Sequence, residues 1–356
     1  MINKRWWCFF AGRLSFHAKA HPLAMYQALQ AAKEALPKGQ KLLLLELGWF
    51  GNAPIERAFE DAARWAAPDV DVRHLDGRQE ENRQRAWAAA NVFCSLSDNL
   101  QETFGITPIE AMATGLPTVV SDWDGYRGTV EHGVTGFRVP SAMPEAGQAL
   151  GLNLAKRHAL GIDTYDMYCG LTSSMVSIDI AATTQAFKQL FASETLRRSM
   201  GEAGRQRALQ LYEWSVVMKQ YEALWKGLSE IRQAAQPAAL KPLGNWPARQ
   251  DPFHIFAGYP SLPFNMNTGL RRRHASLQES LQFYTEAMAL AMVSFARPAM
   301  PNDTELQTLI KAADQEQSVQ DLLAHLPEER QALGLRGLAW LLKLGVFERA
   351  GSKPLG

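Results

Sequence analysis

Residues 91–113 read Asn-Val-Phe-Cys-Ser-Leu-Ser-Asp-Asn-Leu-Gln-Glu-Thr-Phe-Gly-Ile-Thr-Pro-Ile-Glu-Ala-Met-Ala, and residues 115–122 continue Gly-Leu-Pro-Thr-Val-Val-Ser-Asp. Val92 to Leu96 is a short apolar strand, and Gly105 permits a tight turn. Thr107 can cap a helix, and Pro108 suits its first position, where a fixed φ helps and a missing N–H costs nothing. Strand, turn, helix and a second strand at Thr118 to Ser121 are therefore expected in succession. The first helical turn leaves amides unpaired at the positive end of the helix dipole, which seats anionic oxygens. Glu102 and Glu110 stand on either side of that turn. Thr107-Pro-Ile-Glu110 also spells a capping box, in which Glu110 would only bond back to the Thr107 amide. Both readings of Glu110 stay open at this point.

The same alternation extends outward. Apolar runs at Trp6 to Ala11, Leu42 to Leu47, Val70 to Leu75 and Gly136 to Val139 join those at Val92 to Leu96 and Thr118 to Ser121. Helical patterns separate them at Leu23 to Leu36, Pro54 to Ala66, Glu80 to Ala89 and Pro108 to Ala113. Strands alternating with helices predict an α/β fold with a doubly wound parallel sheet. From Met143 to about Arg232 the pattern turns mainly helical. There Trp214, Val217, Met218, Tyr221 and Trp225 recur at helical spacing, which predicts a buried stripe.

The first strand ends in Gly12-Arg13-Leu14-Ser15, followed by Lys19. Arg13 can fork onto phosphate oxygens and Lys19 adds a compact charge, at the strand end where ligands of parallel sheets sit. Carboxylates only accept hydrogen bonds, so Glu102 and Glu110 suit hydroxyl groups on either side of a phosphate pair. Sugar, diphosphate and ribose in series satisfy all four residues.

These motifs carry a resemblance to a known family. Gly-Arg-Leu at 12–14 with a following Lys, the Glu-x7-Glu pair, Gly-Leu-Pro-Thr-Val-Val-Ser-Asp, and Gly-Val-Thr-Gly-Phe-Arg-Val-Pro ending at 140 are similar to the nucleotide-sugar-binding domain of family 4 retaining glycosyltransferases of the GT-B architecture. The resemblance covers residues 6 to about 140, and the helix near Tyr212-Glu-Trp214 resembles that domain's end. It implies that Arg13 and Lys19 contact the donor diphosphate, and that Glu102 holds the transferred sugar beside the amides of Phe104, Gly105, Ile106 and Thr107. Glu110 would take the ribose hydroxyls. It further implies transfer with retention to a sugar, lipid or protein hydroxyl, no metal and no cofactor beyond the donor. A non-catalytic nucleotide-sugar-binding or scaffold subunit is the alternative.

Three departures qualify the match. Asp122-Trp-Asp-Gly-Tyr-Arg127 replaces the Gly-rich segment usual after the Ser-Asp strand, and Ser141 to Thr184 is longer than the pattern needs. The chain also starts at the first donor-domain strand, so the acceptor-binding domain is expected to be lacking. A partner supplying that domain, or a peripheral membrane contact, is then expected. The domains read as 1–232 for donor binding, a Pro- and Ala-rich linker at 233–264, and a small all-helical unit of unassigned role at 265–356.

With 37 basic and 36 acidic residues in 356, the net charge of +1 leaves no global field to draw nucleic acid. Cys8, Cys94 and Cys169 are too few and too scattered for a disulfide framework, which fits a reducing, cytoplasmic location. Asp69-Val-Asp71 and Asp122-Trp-Asp124 match a short cation-binding pattern without supporting ligands, and His17 and His21 lack a third ligand. Arg271-Arg-Arg273 has the charge to touch phosphate or lipid, but a short charge run is expected to be solvated surface. Base contacts are expected near His74 to Arg78.

Overall fold

The first apolar run forms strand β1 (Arg5–Ala11), whose alternate residues serve two cores. Cys8 and Phe10 enter one, Phe9 and Ala11 the other, as the two-residue period of an extended chain requires. A strand buried on both faces belongs inside a parallel sheet, and β1 lies there. The computed structural model describes residues 5–147, 149–234 and 248–350.

From β1 the chain runs through α1 (Leu23–Glu34), β2 (Lys41–Gly48), α2 (Ala53–Ala66), β3 (Val70–Asp76), α3 (Glu80–Ala89), β4 (Val92–Ser95), α4 (Ile106–Ala113), β5 (Thr118–Ser121), α5 (Tyr126–Thr129) and β6 (Gly136–Val139). The strands make one six-stranded parallel sheet in the order β3-β2-β1-β4-β5-β6. This is the doubly wound, Rossmann-like α/β sheet expected from the alternation. Strand order reverses between β1 and β4. Helix α1 therefore covers one face while Ala111 of α4 belongs to the core of the other, and the loops leaving β1 and β4 lie at the carboxyl edge, where open parallel sheets hold their ligands.

The longer stretch after β6 holds β7 (Ser141–Pro144), α6 (Leu150–Ala159), α7 (Tyr165–Ser173) and β8 (Ser177–Ile178). Helices α8 (Ile180–Ala192) and α9 (Glu194–Leu211) return to pack on α1 and α4 respectively. Helix α10 (Trp214–Ala234) overturns the expected buried stripe: Trp214 is 73% and Trp225 57% exposed, and no residue of the helix is buried. Helical spacing collects apolar side chains on one face without supplying a neighbour to cover it.

Of the stretch read as a linker, residues 235–247, including its Gly-Asn-Trp turn, lie outside the described residues. The described part contains α11 (Pro252–Ile255) and β9 (Leu262–Phe264), and β9 pairs in parallel with β7. Beyond it come β10 (Gly269–Arg272), α12 (Leu277–Ala289), α13 (Ala291–Ser294), α14 (Asp303–Ala312), β11 (Gln317–Ser318), α15 (Val319–Leu323), α16 (Glu328–Leu344) and β12 (Phe347–Arg349). This region is mainly helical, with a small sheet in the order β11-β10-β12. Its Leu338 and Trp340 share one apolar cluster with Leu44 and Phe187 of the larger sheet layer. Trp65 Nε1 donates to Glu286 at 3.0 Å, and Gln27 Nε2 to Leu344 O at 3.1 Å, across the same boundary.

The arginine run is solvated only in part: Arg271 is exposed, Arg272 and Arg273 are half-buried, and each has a protein partner. Arg271 pairs with Glu348, Arg272 reaches Ile310 O at 3.2 Å and Asp314 at 2.5 Å, and Arg273 donates to Gln27 at 2.8 Å. Arg271 ties β10 to β12 within the small sheet, while Arg272 and Arg273 brace that sheet against α14 and α1.

Candidate functional site

Two loops leave the sheet where its order reverses: residues 12–22 after β1 and 96–105 after β4. The first starts at a close approach of strand ends, since a Cβ on Gly48 would fall 2.0 Å from Gly12 O. Arg13 follows, its Nη2 donating to Ala18 O at 2.9 Å, so the guanidinium braces the loop that carries it. At the far end Lys19 Nζ donates to Glu102 Oε2 of the second loop. This pair joins the two loops directly.

Glu102 is only 7% exposed, and a carboxylate so placed needs partners. Its second neighbour is Tyr126, whose hydroxyl lies 2.7 Å from Ser95 Oγ and 3.4 Å from Glu102 Oε2. Burial, and then the negative charge of Glu102, hold the Tyr126 phenol well above its ordinary pKa, so it stays protonated and can donate.

Helix α4 starts two residues earlier than its sequence suggests. Gly105 at φ 79° is the N-cap and Ile106 the first helical residue, so Pro108 occupies the third position and Thr107 does not cap. The cause is steric: the loop turns against Tyr126 so closely that a Cβ on Gly105 would fall 2.1 Å from Tyr126 Cε1. A positive φ and no side chain are both required there. Gly125 meets the same loop from the other side, its Cβ position 2.5 Å from Phe104 Cα.

No side chain caps α4, so the capping-box alternative for Glu110 is not realised. The amides of Ile106 and Thr107 keep their donors at the helix end, and the Phe104 and Ile106 side chains are exposed. The carboxylate of Glu110, one turn into the helix, accepts no hydrogen bond among the described residues. Crowding of its carboxyl by the protein raises its pKa, and Arg83 of α3 pulls the other way. The structure thus joins Lys19 to Glu102, sets Arg13 on the Lys19 loop, and places Phe104, Gly105, Ile106 and Thr107 at the head of α4. It shows no direct contact of Arg13 or Glu110 with the Lys19–Glu102 pair.

Several residues without a sequence signal complete the rim. The segment from Asp122 to Arg127, unreadable as a motif, is a buttress: Trp123 Nε1 donates to Asn99 O at 3.2 Å, and Ser121 Oγ to Ser97 O at 2.6 Å. Asn99 Nδ2 in turn donates to His17 O at 3.0 Å and links the loops a second time. Helix α7 packs on the first loop, since a Cβ on Gly170 would sit 3.0 Å from His17 Cβ.

The other flagged side chains have structural partners. Asp122 pairs with Arg127 and Arg138, Asp71 with Arg73, and Asp69 accepts from Gln30. His74 Nε2 lies 2.9 Å from buried Glu46, which also accepts from the Tyr26 hydroxyl, and Arg78 pairs with Asp76. His21 is buried, its Nε2 3.2 Å from Met292 O. Since a carbonyl only accepts, Nε2 carries the proton.

Residues 7–154 match the family model of glycosyl transferases group 1. That span runs from β1 into α6 and includes both loops and α4. The chain is 27% identical over 168 residues to phosphatidyl-myo-inositol mannosyltransferase of Mycobacterium leprae, covering 46% of this chain and 35% of that relative. It is 30% identical over 152 residues to D-inositol 3-phosphate glycosyltransferase of Corynebacterium kroppenstedtii, covering 41% and 33%. Among solved structures it is similar to sucrose-phosphate synthase from Thermosynechococcus elongatus, with 22% identity, a TM-score of 0.42, and coverage of 65% of this chain and 47% of that one. The chain thus spans a third or slightly more of these two curated relatives.

Proposed function

We propose that this chain binds a nucleotide-diphosphate sugar at the crevice between β1 and β4, and serves as the donor-binding part of a retaining glycosyltransferase acting on a hydroxyl acceptor. The observation that carries this reading is the Lys19–Glu102 pair at the reversal of strand order, beside the uncapped end of α4. A crevice at that position is where open parallel sheets hold ligands. The family match over residues 7–154, and the names of the two curated relatives, support a glycosyl donor.

In this reading Lys19 has three donors, enough to keep Glu102 and also meet a phosphate oxygen. Arg13 forks onto the same diphosphate, and the Ile106 and Thr107 amides add dipolar charge. Negative charge that builds on the departing diphosphate meets these fixed cations without a metal. Glu102, held by Tyr126, accepts from hydroxyls of the transferred sugar, while Glu110 accepts from ribose. The leaving phosphate takes the acceptor's proton on the face it departs from, which retains configuration.

No described helix is long and apolar enough to cross a membrane. We place the chain in the cytoplasm, where nucleotide sugars would reach it, with any membrane contact peripheral. A second reading, a nucleotide-sugar-binding subunit that recruits a partner, is favoured by the exposed apolar face of α10.

Titration calorimetry against a panel of nucleotide sugars tests the first claim. One member should bind, and Arg13→Ala should weaken it about tenfold, the ~1.4 kcal/mol expected at the low end for a hydrogen bond to a charged group. Unchanged affinity in that variant would overturn the diphosphate assignment. Turnover that persists in chelator separates the metal-free transferase, while binding without turnover on any acceptor favours the subunit reading.

A further inference from the structure

Lys343 stands on α16, 245 residues along the chain from Asp98, and both side chains are buried. Its Nζ donates to Asp98 Oδ2, to Ser173 O at 2.7 Å and to Val176 O at 3.1 Å. Three donors meet three acceptors, so the ammonium is saturated. Asp98 Oδ1 accepts the His21 backbone N–H at 3.3 Å.

The location of this carboxylate is what matters. Asp98 precedes Glu102 by four residues on the loop after β4, and His21 follows Lys19 by two on the loop after β1. One buried carboxylate therefore ties together the two loops that carry the candidate site, and Lys343 balances its charge. Through Ser173 and Val176 the same ammonium also fixes the end of α7, which packs on His17. A buried ion pair is weak evidence for stability, because apolar side chains of equal volume often serve as well. Its use here lies in register.

Burial pushes the Asp98 carboxyl up and the Lys343 ammonium down, each opposed by the other's charge. Both groups are buried, so removing either member leaves the other charge without its counter-ion.

We propose that Lys343 is a positioning residue for the candidate site: acting through Asp98, it holds the Lys19 and Glu102 loops in register, so that the carboxyl-terminal helical region sets nucleotide-sugar affinity. The affinity part of this inference rests on the function proposed above; the loop register does not.

The test uses the full chain, with Lys343→Met and the double variant Asp98→Asn/Lys343→Met, which removes both charges together and leaves no buried ion unpaired. Hydrogen exchange is followed at His21 and at residues 99–102, and calorimetry uses UDP-glucose and GDP-mannose as probes. In both variants those amides should exchange at least tenfold faster than in the wild type relative to amides of β1 and β4, and probe affinity should fall about tenfold. A purely structural role would lower the urea midpoint and leave affinity and loop exchange as they were, which would overturn the proposal. Should the wild type bind neither probe, the donor assignment fails for those sugars, and loop exchange alone decides the positioning: unchanged protection sinks it, faster exchange upholds it.

Discussion

Replacing Lys19 by Met would leave Glu102 buried with one weak partner, and a double-mutant cycle with Glu102→Gln measures what their contact contributes. The side chains are 27% and 8% exposed, so the pair is enclosed on the carboxylate side and open to water on the other. Breaking a fully buried pair costs about 3–5 kcal/mol, and the partial exposure of Lys19 reduces this to about 2 kcal/mol for Lys19→Met. Glu102→Gln should cost less, about 1 kcal/mol, since the amide oxygen still accepts from Tyr126 and Lys19 can turn to solvent. The double variant has no unpaired buried charge, and should lose only about 1–1.5 kcal/mol, for a coupling of about 1.5–2 kcal/mol. Urea unfolding at pH 7, followed by far-ultraviolet circular dichroism with the slope held common, gives all four stabilities. A coupling below about 0.5 kcal/mol would refute the claim that Lys19 neutralises Glu102 in the folded chain. All three variants should also lose nucleotide-sugar binding, because each removes a group assigned to the donor.

Two further outcomes follow from the same geometry. Gly105→Ala places a side chain at φ 79° with its Cβ against the Tyr126 ring; strain of about 1–2 kcal/mol plus repacking should lower stability by at least ~2 kcal/mol. Donor affinity should fall with it, and an unchanged urea midpoint would show that the loop yields freely. His21 is held neutral, its pKa lowered to about 3 by burial first and by Lys343 second. Its folded pKa lies below the unfolded value near 6.5, so between these two the unfolded chain binds the extra proton and stability falls as pH falls. The slope approaches about 1.4 kcal/mol per pH unit from this residue, and His21→Gln should flatten the decline of urea stability between pH 6.5 and 5. An equally steep decline in that variant would assign the acid sensitivity to other groups.

Much of the molecule could be read from local pattern. The alternation in β1 that sends Cys8 and Phe9 to opposite cores, the helical periods between strands, and Gly105 at the turn into α4 are encoded within a few residues of where they act. Lys19 and Glu102 were each legible as residues at strand ends of one predicted sheet, but their direct pairing depends on β1 and β4 being neighbours, which the strand order decides. The start of α4 was misread by two residues, since the Tyr126 ring that forces the turn arrives from a different segment. The stripe on α10 was misread for the opposite reason, periodicity without a neighbour.

The sequence by itself determined the doubly wound sheet, the order of its elements and the residue types at the ends of β1 and β4. Those follow from short-range sterics and from the period of apolar side chains, which any local window contains. Tertiary structure alone decided that Tyr126 holds Glu102, that Arg273 donates to Gln27, and that Lys343 reaches Asp98. Each depends on chain segments far apart in sequence meeting at a few ångströms, a distance set by the packing of the whole core.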